Sequence, residues 1–291
     1  MTVLDRIEAA YDAAVASARA RSRIFDRLWS ARERYEGVIG GRLAAAIAYY
    51  AFFAVFALAL LAYSVLGYLL QNDAVFQAVN AFLEQNLPWL EPATIEGGRG
   101  KVGLIGLVGF VITGVGWVEA IRSSVRQIFC LEQQPGHPIV RWLADLAVLV
   151  ALFALLGVSL TAVYGVEWFL ESLVGWPSRW MTAVSWLLAG AVNVVLAGAL
   201  ISGVPRIRLT VRQQVTPVLL VGLGITLLNS LGQFVIELVR DNPAYTVVAG
   251  AVGLLLYLYL FNQTLLYGAA LVATSPHAKV RDVATRVPGG D

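Results

Sequence analysis

Charge is what most of this chain lacks. Six stretches, 43–72, 102–118, 146–166, 180–205, 213–236 and 242–278, contain no Asp, Glu, Lys or Arg, and about 20 apolar residues in a row suffice to cross a bilayer's hydrocarbon. With 58% of its 291 residues hydrophobic, 14% charged and a mean hydropathy of +0.72, the chain has too little polar surface for a soluble domain. Cys130 is the single cysteine, so no intrachain disulfide can form. The two histidines, His137 and His277, are far apart, and no His-x-His or Cys-x-x-Cys spacing offers a zinc site. No nucleophile elbow, phosphate-binding glycine loop or paired catalytic carboxylate is present. No metal, cofactor, ATPase or other enzymatic activity is therefore expected. The net charge of +2 argues against a nucleic-acid partner.

What is there reads as an all-α, polytopic membrane protein with six transmembrane helices. Three parts are expected: a helical, amphipathic segment over 1–42, a six-helix membrane domain over 43–275, and a disordered tail over 276–291. The first apolar run is long enough to span, and charges precede it throughout, so a cleaved leader is not expected. Lys and Arg divide 17 to 4 between the two sets of flanking segments, which places both termini in the cytoplasm. In residues 3–35, Leu4, Ile7, Tyr11, Phe25, Leu28 and Trp29 recur at helical spacing among arginines. Such a helix would lie in the membrane interface with its rings at the acyl boundary and its arginines near anionic headgroups.

Mid-span charge is also missing. There a charge would cost about 3 kcal/mol or more and would mark an ion or proton path, so a proton pump with a mid-membrane carboxylate is not expected. Uncharged polarity stands in its place. Thr226, Asn229, Gln233 and Glu237 advance by three or four residues and so share one face of the fifth span. Asn193 lies on a polar side of the fourth span, and Tyr259, Asn262 and Gln263 mark the sixth. Amides facing lipid would lose hydrogen bonds without replacement. These residues therefore line a path for a polar headgroup, or they bond one helix to the next.

Other polar groups cluster at the cytoplasmic edge. Glu119, Arg122 and Arg126 share a helical face, as a structural ion pair or as a gate. Arg206, Arg208 and Arg212 crowd a short cytoplasmic loop and are candidates for contact with lipid headgroups. Five glycines between 103 and 116 suit close helix approach in the second span.

The sequence RLAAAIAYYAFF at 42–53, LYLY at 256–259, LYGA at 266–269 and the prolines Pro205 and Pro217 resemble the YihY/BrkB family of bacterial inner-membrane proteins over about 24–275. The chain departs from that pattern at Ala57, where proline is usual, and at Ala270, where an acidic residue is common. The resemblance implies six spans, cytoplasmic termini and the bacterial plasma membrane. Members once carried a ribonuclease label, which two histidines and no metal cluster do not support. The leading reading is a transporter or flippase of a lipid or other envelope amphiphile, with membrane lipids as partners and energy from a gradient or another protein. The alternative is a non-transporting scaffold or assembly factor that recruits envelope proteins, and an intramembrane enzyme is third.

Overall fold

The computed structural model describes residues 3–69, 99–155, 178–209, 211–239, 243–275 and 281–283, and they are predominantly helical. The amphipathic segment is two helices, α1 (Val3–Arg21) and α2 (Arg23–Gly37). Ser22 separates them in an extended conformation, its hydroxyl accepting from the Phe25 backbone N–H at 3.3 Å, a cap that satisfies one orphan donor of α2. Arg19 folds α1 onto α2 through Asp26 at 2.7 Å and Glu33 at 2.9 Å. Phe25 and Trp29 stack on each other at 5.6 Å, and Tyr11 and the Arg32 guanidinium cover Trp29. Phe25 and Trp29, expected to enter lipid, thus turn largely to one another, while Ile7, Tyr11, Ile24 and Leu28 are exposed.

α3 (Gly40–Leu69) and α4 (Arg99–Ile128) form the main helical pair. A Cβ at Gly103 would meet Ser64, at Gly106 Leu60 and Leu61, and at Gly116 Tyr50. That order shows that the pair is antiparallel. The glycine side of α4 is a packing surface. α4 continues well past the charge-free 102–118, so Glu119, Arg122 and Arg126 ride on the same helix.

α5 (Pro138–Leu155) starts before the expected 146, with proline in its first turn, where the missing N–H costs nothing. A charge-free run shows where charges stop, not where a helix begins. α6 (Ser178–Gly198) ends in a π-helical turn, Ala199–Gly203. After strand β1 (Ile207–Arg208) come α7 (Val211–Val239) and α8 (Pro243–Ala273), which packs on α2, α3, α4 and α7. Four described helical stretches are long and apolar enough to cross a membrane: Gly40–Ala62, Val102–Ile128, Pro138–Leu155 and Gly250–Ala273. Gly190–Gly203 and Gln214–Ser230 are apolar but shorter. Residues 70–98 and 156–177, which hold most of the loop between the first two expected spans and the end of the third, lie outside the described ones.

Of the tail expected to be disordered, residues 281–283 are described. Arg281–Asp282 form β2, antiparallel to β1, with Ile207 opposite Asp282 and Arg208 opposite Arg281.

Candidate functional site

Three places gather the polar groups that the sequence singles out. The first is a seam across α6, α7 and α8. Asn193 Nδ2 on α6 donates to Thr226 Oγ1 on α7 at 3.0 Å, and that hydroxyl donates to the Gly222 carbonyl at 2.9 Å. One turn along α7, Asn229 Oδ1 accepts from the Tyr257 hydroxyl of α8 at 2.5 Å. The expected single face therefore divides: Thr226 joins α7 to α6, and Asn229 joins α7 to α8. On α8, Gln263 Nε2 donates to Tyr259 Oη at 2.9 Å, and buried Asn262 donates to the Leu258 carbonyl at 2.7 Å. The Asn262 Oδ1 atom is buried with no partner among the described residues. Gln233 and Glu237 lie on α7, but their side chains are outside the described ones. Sequence reasoning missed Tyr257, which was legible only as the donor that Asn229 needs.

The second place is a groove of about 400 Å³ where α2 meets α7 and α8, lined by Leu28, Tyr35, Leu220, Gln263, Tyr267 and Leu271. Tyr35 packs its ring 5.1 Å from that of Tyr267. Its position depends on Gly40, where a Cβ would clash with Cδ2 and Cε2 of the phenol ring. The Tyr35 hydroxyl is buried without a hydrogen-bond partner among the described residues. Burial pushes this phenol above its ordinary range, and the neighbouring Gln263 side chain pulls it back in part.

The third is an ionic knot at the basic end of the helices. Arg122 is buried and grips Asp145 with Nε–Oδ1 at 3.0 Å and Nη2–Oδ2 at 3.0 Å, while Nη1 donates to the Gln133 carbonyl at 2.9 Å. Glu119, the expected partner of Arg122, stands 3.7 Å away and is far more exposed. Asp145 also accepts from Arg206 Nη2 at 2.6 Å. Arg206 adopts φ 57, and burial lowers its guanidinium pKa against the pull of Asp145. Arg126 is buried too; Nη1 donates to the Pro205 carbonyl at 3.1 Å and Asp282 Oδ1 at 3.0 Å, and Nη2 to Asp282 Oδ2 at 2.5 Å. The knot ties α4 and α5 to the turn after α6 and to β2.

Of the gate candidates, Arg122 and Arg126 are thus buried anchors for two aspartates, while Glu119 stays exposed beside Arg122. Of the headgroup candidates, Arg206 turns inward, Arg208 is exposed on β1, and the Arg212 side chain lies outside the described ones. Asp145 and Asp282 were missed. The signal for Asp145 was its place one residue before a charge-free run, with Arg122 just past the previous one. His137 caps α5, its Nδ1 accepting from the Ile139 backbone N–H at 3.3 Å.

A family profile described as "Virulence factor BrkB" matches residues 31–288. The chain is 23% identical over 281 residues to "Inner membrane protein YhjD" of Escherichia coli (strain K12), covering 88% of this chain and 83% of that protein. It is also 23% identical over 282 residues to "Uncharacterized protein Dda3937_02003" of Dickeya dadantii (strain 3937), covering 89% of this chain and 85% of that one. No solved structure matches.

Proposed function

The chain belongs to the virulence factor BrkB family, and on that premise we propose that it is an integral inner-membrane protein that moves a lipid or other envelope amphiphile between leaflets. Six crossings with both termini in the cytoplasm and α2 at the interface complete this reading. The observation that carries it is the two-sidedness of α7. Thr226 and Asn229 present uncharged polar groups to neighbouring helices, while Leu219, Leu220, Leu223 and Leu227 are exposed. A polar head could exchange hydrogen bonds along the first face while its tails stay beside the second.

The scaffold reading has its own support, because Asn193 with Thr226 and Asn229 with Tyr257 already satisfy each other across helices. Interhelical bonds of this kind contribute about 0.6–2 kcal/mol each in a membrane. Purified protein in liposomes carrying labelled lipid is expected to exchange leaflets faster than empty liposomes, and an equal rate sinks autonomous transport. Asn229→Leu separates the two readings further. It is expected to slow exchange several-fold while the unfolding midpoint falls only by the loss of one such bond. Unchanged exchange with that same stability loss assigns Asn229 to helix packing alone.

A further inference from the structure

We propose that β2 is a releasable strap on the basic end of the helices. Docked, it balances the charge of the knot and holds the turn after α6 closed; released, it lets the surplus of arginines open that turn. The inference goes beyond transport or scaffolding and holds for either. The strap is fastened at three points: Arg281 and Asp282 pair with Arg208 and Ile207, the Val283 backbone N–H donates to the Arg206 carbonyl at 3.2 Å, and the Asp282 carboxylate accepts from both Nη atoms of Arg126. Arg126 in turn donates to the Pro205 carbonyl at 3.1 Å. Residues 205–208 are therefore gripped from the tail and from α4 at once.

The fastening is slight, and the load on it is not. A two-residue ladder does not stand on its own. Asp282 is 16% exposed and Val283 is exposed, so β2 lies outermost and can leave without displacing another element. Beneath it, among the described residues, the guanidiniums of Arg122, Arg126 and Arg206 share the carboxylates of Asp145 and Asp282, with Glu119 beside them in solvent. Loss of Asp282 leaves the three facing Asp145 alone. Repulsion is already felt at Arg206: its guanidinium pKa is lowered, by burial first and then, against the pull of Asp145, by Arg122, Arg126 and Arg141. The same residue is strained at φ 57 and closely follows the π-helical turn Ala199–Gly203. Both are irregularities that recur where a backbone switches or a site is built. At 23% exposed against 1% and 0% for Arg122 and Arg126, Arg206 is the arginine that can swing into water. This turn ends α6, the helix that presents Asn193 to Thr226, so the strap bears on the polar seam.

The test is amide hydrogen exchange on the full chain in detergent micelles, followed by mass spectrometry at peptides covering 199–209 and, for reference, 46–60 of α3. The Val204 and Arg206 amides bond to the Ala199 and Gly203 carbonyls and not to the tail, so they report on the turn rather than on the strap's own bonds. In a Cys130→Ser background, Arg208→Cys and Arg281→Cys fall opposite each other in the ladder, at a spacing that a disulfide bridges. Oxidising that pair is expected to slow exchange at the turn about tenfold, and reducing it to restore the faster rate. Asp282→Ala should speed exchange at the turn by about tenfold to a hundredfold, as the loss of charge-assisted hydrogen bonds implies, with the α3 reference unchanged. Asp282→Asn, which keeps the shape, should move it in the same direction. Adding Arg126→Met to Asp282→Ala leaves Arg122 and Arg206 facing Asp145 and should return the turn toward the rate of the unsubstituted chain. A lock without effect means that the strap does not open, and it overturns the proposal. So does an unchanged rate in Asp282→Ala, or acceleration in α3 as large as at the turn, which would make β2 part of the global fold. If the double variant exchanges as fast as Asp282→Ala, charge balance is not what holds the turn, and the proposal fails with it.

Discussion

Asp145→Ala is expected to destabilise the protein by about 3–5 kcal/mol, the cost of leaving buried charge without its partner. At a few degrees per kcal/mol for a chain of this size, the unfolding midpoint in detergent should fall on the order of 10 °C. The reason is geometric. Asp145 is the carboxylate that holds both Arg122, itself 1% exposed, and Arg206. Removing it leaves Arg122 with the Gln133 carbonyl and a distant Glu119. Asp282→Asn should cost less, because Arg126 keeps the carbonyls of Pro205 and Glu132 and Asp282 is 16% exposed. Pairing Arg122→Met with Asp145→Leu should recover most of the loss, since a buried ion pair replaced by apolar groups of similar volume is often neutral or better. Arg206 is 23% exposed and can carry its charge to water. A midpoint shift under about 2 °C for Asp145→Ala would show that water reaches the knot freely and would remove its role as an anchor.

That knot also marks where the sequence stopped being legible. Helicity and apolar runs follow from composition and local periodicity, so α3, α4 and α8 could be placed from the sequence. The polar positions Asn193, Thr226, Asn229 and Gln263 stood out because an amide among leucines needs a partner, whatever that partner is. Their partners are set by tertiary contact: Tyr257 lies 28 positions beyond Asn229, and Asp282 lies 156 beyond Arg126. Glu119 and Arg122 looked like a pair because they neighbour each other on one helix. A carboxylate from α5 approaches two-pronged and displaces that local choice. The short strand of the tail was hidden for a related reason, since a two-residue ladder has no periodicity to read and exists only because Arg206 and Ile207 are held beside it.

The glycines of α4 permit a sharper trial, because only some of them touch backbone. A Cβ at Gly106 would stand 2.7 Å from the Leu61 backbone nitrogen and 3.1 Å from the Leu60 carbonyl carbon, whereas one at Gly109 would rest 3.5 Å from the Ala57 methyl, an ordinary contact. Backbone cannot rotate away as a side chain can, so α3 and α4 must separate to admit a methyl at 106. Gly106→Ala is expected to cost about 1–3 kcal/mol, the range of overpacking, and Gly106→Leu more. Gly109→Ala should be neutral, or stabilising by up to about 1 kcal/mol, because alanine restricts the unfolded chain and favours helix. Thermal unfolding of the three variants under one detergent condition decides the matter. Equal behaviour at 106 and 109 would mean that the helices are not in backbone contact, and the antiparallel register built on these glycines would fail with it. The expected order of midpoints places Gly106→Leu below Gly106→Ala, Gly106→Ala below the unsubstituted chain, and Gly109→Ala level with that chain or above it. Such an order follows from two helices whose closest approach falls at one glycine rather than along the whole row.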